Sequence, residues 1–250
     1  MLQLNNLYVG YDRKNVILKN IKLNANPGEI IGLIGLNGSG KSTLLRTILG
    51  LIKPLSGDTT IDKISIRDLS LRDRSLTISM LESQTQSVFS MTVLELLEIS
   101  NRNNKNSLID SALKFSGLKG FERRNIRELS SGEVKRAYLA HALCTNSKII
   151  LLDEPFAHLD WNQQLRLAQG IKAWRDHFRT TFVLAAHELE WIIKITDRVW
   201  ALGHGQVIAD SIPQDVFKSQ QVSDVFDFRA FIDENPIDGS QRLTLGQKKK

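Results

Sequence analysis

The sequence of 250 residues predicts an α/β fold: a mostly parallel sheet flanked by helices, with an antiparallel β subdomain at the N-terminal side and an inserted α-helical subdomain. Three observations predict it. Apolar residues alternate along the start of the chain, as in paired strands with one covered face. Continuous apolar runs at 30–34, 149–152 and 181–186 read as strands buried on both faces. Between the first two of these runs, residues 91–142 carry mostly helical periodicity.

In chain order, Leu2, Leu4 and Leu7 precede a Gly10-Tyr11-Asp12 turn, and a second strand runs through 16–23 to Asn26-Pro27-Gly28-Glu29. The 30–34 strand is followed by a glycine loop and a helix over 42–51. Val93, Leu94, Leu96 and Leu97 begin one helix of the insertion, and 112–115 lie in another. An amphipathic helix over 162–177 joins the last two buried runs. Residues 199–202 and 206–209 form a hairpin across Gly203-His204-Gly205, and polar residues dominate from Asp233 onward. The chain thus divides as one domain of 1–88 and 149–232, a helical subdomain of 89–148 and a polar tail of 233–250. We find no internal repeat.

Composition narrows the class. With 42% hydrophobic and 24% charged residues the chain can bury a sizeable core. It has no apolar run of about 18 residues, and its start, MLQLNNLYVGYDRKN, lacks the regions of a secretory signal. The expectation is a soluble protein that is not exported. A single cysteine, Cys144, in the apolar stretch AYLAHALC excludes a disulfide framework and suits a reducing cytoplasm. The net charge of +6 comes from scattered residues and Lys248-Lys249-Lys250, and it singles out no specific nucleic-acid role.

The glycine loop, GLNGSGKST at 35–43, has the spacing of a phosphate loop. Its core is therefore that of a P-loop nucleotide hydrolase. Gly35, Gly38 and Gly40, with Asn37 and Ser39 between them, let backbone amides turn toward phosphate oxygens at a helix start. Lys41 supplies a mobile charge for the β- and γ-phosphates, Ser42 a hydroxyl for Mg²⁺, and Thr43 reaches the α-phosphate side. The buried run 149–152 ends in Asp153-Glu154, whose side chains point to opposite faces. Asp153 is expected to hold Mg²⁺, and Glu154 to polarise the attacking water.

With Leu129-Ser130-Ser131-Gly132-Glu133 just upstream of that acid pair, the ordered set resembles the ATP-binding cassette (ABC) ATPases across most of the chain. The segment is similar to the family signature LSGGQ, with Ser131 for a glycine and Glu133 for glutamine. Ser130 and Glu133 also form a capping box before the helix 135–143. The resemblance implies that this helix start faces the γ-phosphate held by a second copy, so that two chains sandwich two ATP molecules head to tail. It further implies that 1–88 and 149–232 form a RecA-like core.

Other residues take their roles from the same resemblance. Tyr11, or Tyr8, is expected to stack on adenine. Gln84, or Gln86, is the glutamine that touches Mg²⁺ and water and couples to a partner. Leu159-Asp160 matches the loop that crosses the dimer, and His187 the histidine that contacts the γ-phosphate. His187-Glu188 is no zinc-protease motif, because position 191 is Trp191 rather than histidine. His141, His158, His177 and His204 read as surface or packing residues.

The resemblance implies an ATPase that powers a membrane permease, working at the cytoplasmic face of the plasma membrane, with residues 88–97 near the permease and a solute-binding protein in the full system. The phrase Thr92-Val93-Leu94-Glu95-Leu96 and the run Pro213-Gln214-Asp215-Val216-Phe217 are similar to bacterial importers of iron-siderophore, haem or cobalamin. A soluble ATPase of iron-sulphur cluster assembly and an exporter subunit remain as alternatives.

Overall fold

The computed structural model describes residues 1–12, 14–83, 90–101, 106–237 and 239–247. The chain opens with β1 (Leu2–Gly10) and β2 (Val16–Ala25), which pair antiparallel. Leu2, Leu4, Leu7 and Val9 are buried, so the alternation skips one residue at Asn5-Asn6. The register shifts there and Asn6 takes φ 50°, the signature of a bulge that returns the apolar residues to one face.

Next come β3 (Ile30–Gly35), α1 (Lys41–Ile48), β4 (Ser56–Ile61), β5 (Ile64–Ser65), α2 (Leu71–Thr77) and β6 (Ile78–Leu81). Helix α1 stops at Ile48, short of the expected residue 51, because Gly50 turns to φ 80°. The helical block holds α3 (Val93–Ser100), α4 (Asn106–Ser116), a 3₁₀ turn (Ile126–Glu128) and α5 (Ser131–Cys144). A capping box between Thr92 and Glu95 starts α3. The chain continues through β7 (Ile149–Asp153), α6 (Trp161–Phe178), β8 (Thr181–Ala185), α7 (Leu189–Ile195), β9 (Arg198–Gly203), β10 (Gln206–Ser211), α8 (Pro213–Lys218), α9 (Gln220–Phe226), β11 (Phe228–Glu234) and β12 (Gln241–Gln247).

Among the described residues the strands form an antiparallel sheet ordered β2-β1-β4-β5 and a six-stranded sheet ordered β10-β9-β3-β8-β7-β6. The larger sheet is parallel except at the β9–β10 hairpin. Its two faces follow from strand periodicity. Ile31, Leu33, Leu151, Val183 and Trp200 pack with α1 and the antiparallel sheet. Ile30, Ile34, Ile150, Leu152, Phe182 and Leu184 pack with helices of the insertion and with α6 and α7. Each such fully buried side chain contributes about 1.5–3 kcal/mol of transfer free energy.

Register then places the chemistry. Leu33 of β3 and Asp153 of β7 both pair with Ala185 of β8, so the three strands end together. The glycine loop, Glu154 and His187 therefore leave the same carboxyl edge of the sheet, where open α/β sheets bind ligands.

Where a polar tail was expected, β11 and β12 form a hairpin joined by an Asp233–Arg242 ion pair. Phe228 and Leu243 are buried on its inner side, and β12 packs on α7. Polar residues outnumber apolar ones here because only one face is covered, which hides a period-2 pattern behind the average composition.

Candidate nucleotide site

The run Ile30–Gly35 is wholly buried, and the loop 36–40 leads from it straight into α1 at Lys41. Gly40, the N-cap of α1, sits at φ 98°, and a Cβ there would stand 2.6 Å from a methyl of Leu18. Glycine is required by both counts. No side chain caps α1, which leaves its first amides to an outside acceptor. Asn37 and Gly38 are exposed beside it. Ser39 is buried, and among the described residues its Oγ has no hydrogen-bond partner, which fits a hydroxyl able to meet a phosphate oxygen.

Lys41 is buried and folds back on the loop, its Nζ donating to the carbonyls of Gly35 at 2.8 Å and Leu36 at 3.3 Å. Burial pushes its ammonium below the usual lysine value, while the Glu154 and Asp153 carboxylates push it back. Asp153 is 3% exposed. Burial raises its carboxyl, opposed by a hydrogen bond from the Ser42 hydroxyl and by the charges of Arg46 and Lys41. Ser42 and Asp153 are two hard oxygen donors in contact, a set that suits Mg²⁺ when phosphate and water complete its shell.

Glu154 turns into the left-handed region at φ 50° and its N–H donates to the Ala185 carbonyl at 2.8 Å. That turn aims its carboxylate at His187, with Oε1 3.3 Å from Nε2. Lys135, legible in the sequence only as a helix residue, is also here: its Nζ donates to the Glu154 carbonyl and to the Ala157 carbonyl at 3.1 Å.

At the start of α5 the expected capping box is present. Ser130 N–H donates to Glu133 at 2.8 Å, and Ser130 Oγ accepts from Glu133 N–H at 3.3 Å. The first of these bonds holds the Glu133 carboxyl below its usual value. Ser130 and Ser131 are exposed. Gly132 is buried, and a Cβ on it would meet the Gln163 side chain at 2.4 Å. Gln163 in turn completes a capping box with Asp160 at the start of α6. The two helix starts thus abut. Tyr11 is 88% exposed in the turn after β1, and Tyr8 is partly exposed on the strand. Gln84 and Gln86 lie outside the described residues.

With this geometry in place, residues 18–157 match the family described as ABC transporter. The chain belongs to that family. Within it, the chain is an ATP-binding and ATP-hydrolysing transporter subunit. It is 30% identical over 236 residues to the petrobactin import ATP-binding protein FpuC of Bacillus anthracis, covering 90% of this chain and 86% of that one. It is 32% identical to the zinc import ATP-binding protein ZnuC 2 of Aliivibrio fischeri, over 97% and 93% of the two chains. A dimeric ATP-binding cassette in a post-hydrolysis state, bound to ADP and Pi, matches at a TM-score of 0.76 and 27% identity, covering 85% and 99%. Among the described residues no helix is long and apolar enough to cross a membrane.

Proposed function

We propose that this subunit drives a bacterial importer of a metal chelate, of the iron-siderophore, haem or cobalamin kind, by hydrolysing ATP at the carboxyl edge of its large sheet. The observation that carries the hydrolytic part is the meeting of Lys41, Ser42-Asp153 and the Glu154–His187 pair where β3, β7 and β8 end together. The cargo class is supported by the likeness to the petrobactin importer.

In this reading the amides of 35–43 and the unpartnered Ser39 hydroxyl receive phosphate oxygens, and Lys41 exchanges its two carbonyl partners for the β- and γ-phosphates. Ser42 and Asp153 hold Mg²⁺, with Gln84 as the third contributor. When bound, the ion neutralises charge developing on the phosphates. Glu154 accepts a proton from the attacking water and His187 donates to the γ-phosphate. Tyr11 stacks on adenine, and Ser130, Ser131, Gly132, Glu133 and Asp160 face the nucleotide of a second copy. Two chains close on two ATP molecules, pull on a permease, and reopen as phosphate leaves. The assembly sits at the cytoplasmic face of the plasma membrane through that permease, with a solute-binding protein delivering the cargo.

Two measurements test this. Purified Lys41→Ala is expected to lose ATP turnover by at least about a hundredfold, and normal turnover refutes the site. In cells, Glu154→Gln is expected to stop uptake of a labelled ferric chelate while zinc uptake continues; the reverse pattern overturns the cargo class.

A further inference from the structure

Lys135 is 5% exposed, and nothing in the phosphate chemistry above uses it. An ammonium is costly to bury unless hydrogen bonds and opposite charge receive it. Here both do. Its Nζ donates to two carbonyls of the turn that follows β7, those of Glu154 and Ala157. The opposite charge comes chiefly from Glu188, then from Glu154 and Asp153. Glu188 is half-buried, and among the described residues its buried Oε2 has no hydrogen-bond partner. Glu188 also directly follows His187 in sequence.

Lys135 therefore reaches from helix α5 to the turn that carries Glu154. The Glu154 backbone is strained, with φ 50° for a residue that has a side chain. Such a conformation persists only where its surroundings enforce it, and both of its peptide groups are clamped: the N–H by the Ala185 carbonyl, the carbonyl by Lys135 and by the Ala157 N–H at 3.3 Å. The clamp from Ala185 belongs to the sheet edge, whereas the clamp from Lys135 belongs to the inserted helical block.

We propose that Lys135 is a positioning residue for ATP hydrolysis, fixing the 154–157 turn from α5 and so setting the direction in which the Glu154 carboxylate leaves the backbone toward His187. The inference rests on the reading of Glu154 as the group that activates water. In this role Lys135 acts through the backbone of the turn and the Glu154 side chain it carries.

The test is steady-state ATPase kinetics with direct nucleotide binding on the purified protein. Lys135→Met is expected to lower kcat by about tenfold to a hundredfold while KM and the affinity for a fluorescent ATP analogue stay within about twofold. Unchanged kcat overturns the proposal. Because Lys135→Met removes a cation that interacts with Glu188, the double variant Lys135→Met with Glu188→Gln covers poor folding. Its Tm is expected to recover while kcat stays low; recovery of both makes Lys135 a purely structural residue and overturns the proposal. Glu154→Gln assayed in parallel separates the two claims. If it hydrolyses ATP normally, the assignment of the base fails whatever Lys135 does; if it is inactive and Lys135→Met is normal, only the positioning role falls.

Discussion

Helices α1 and α5 both begin at residues assigned to a phosphate, yet their N-termini are finished in opposite ways. Helix α1 starts at Gly40 with no side-chain cap among the described residues, beside a buried Ser39 hydroxyl that has no partner among them. Helix α5 starts at Ser130 with a complete capping box, so its own Ser130 and Glu133 side chains occupy two of the donors an anion would use. An uncapped glycine start is a preformed anion site that holds a ligand by itself. A capped start is stable without a ligand, and a phosphate there competes with Ser130 Oγ and meets the Glu133 charge. The contrast fits a division of labour in which the α1 end supplies affinity and the α5 end responds to it.

Three substitutions sharpen or break this contrast. The largest effect is expected at Gly40→Ala, which adds a methyl 2.6 Å from Leu18 at φ 98°. It should cost about 1–3 kcal/mol in thermal unfolding and abolish ATP binding by equilibrium dialysis; retained binding means α1 is not the affinity end. Ser130→Ala should cost about 1 kcal/mol of stability through the lost cap, with nucleotide affinity unchanged and turnover reduced. Turnover at the wild-type level denies the α5 end a catalytic part. The smallest effect is expected at Glu133→Gln, within about 0.5 kcal/mol at neutral pH because the amide oxygen still accepts from Ser130. Its mark lies in acid. The Ser130 N–H holds the Glu133 carboxyl below its ordinary 4.5, so the ionised cap stabilises the fold above that pH and loses its contribution as pH falls through the lowered value. Glu133→Gln should flatten that part of the acid unfolding curve, and an unchanged curve rules out the cap as its source.

The same contrast shows what could be read in the residues alone. Strands β3, β7 and β8 are buried on both faces, so their sequences are unbroken apolar runs and their ends, where the phosphate loop and Glu154 stand, could be read directly. The cap at Ser130 was equally plain, since a capping box is a local pattern. The β11–β12 hairpin was hidden by its open face. Lys135 was hidden for another reason: helical periodicity says which side of α5 is covered, and nothing in it says that the covering elements bring two carbonyls to meet an ammonium. Tyr11 was harder to read than either, for it stands in solvent and only adenine would hold it.

In the proposed mechanism the phosphate loop of one chain is half of a site completed by residues 129–133 of another. Light scattering of purified Glu154→Gln with and without ATP tests it most directly. A monomer is expected without nucleotide, and a dimer that retains two ATP molecules when nucleotide is added. A variant that stays monomeric with ATP bound and hydrolyses it at the wild-type rate contradicts both the shared site and the role of Glu154.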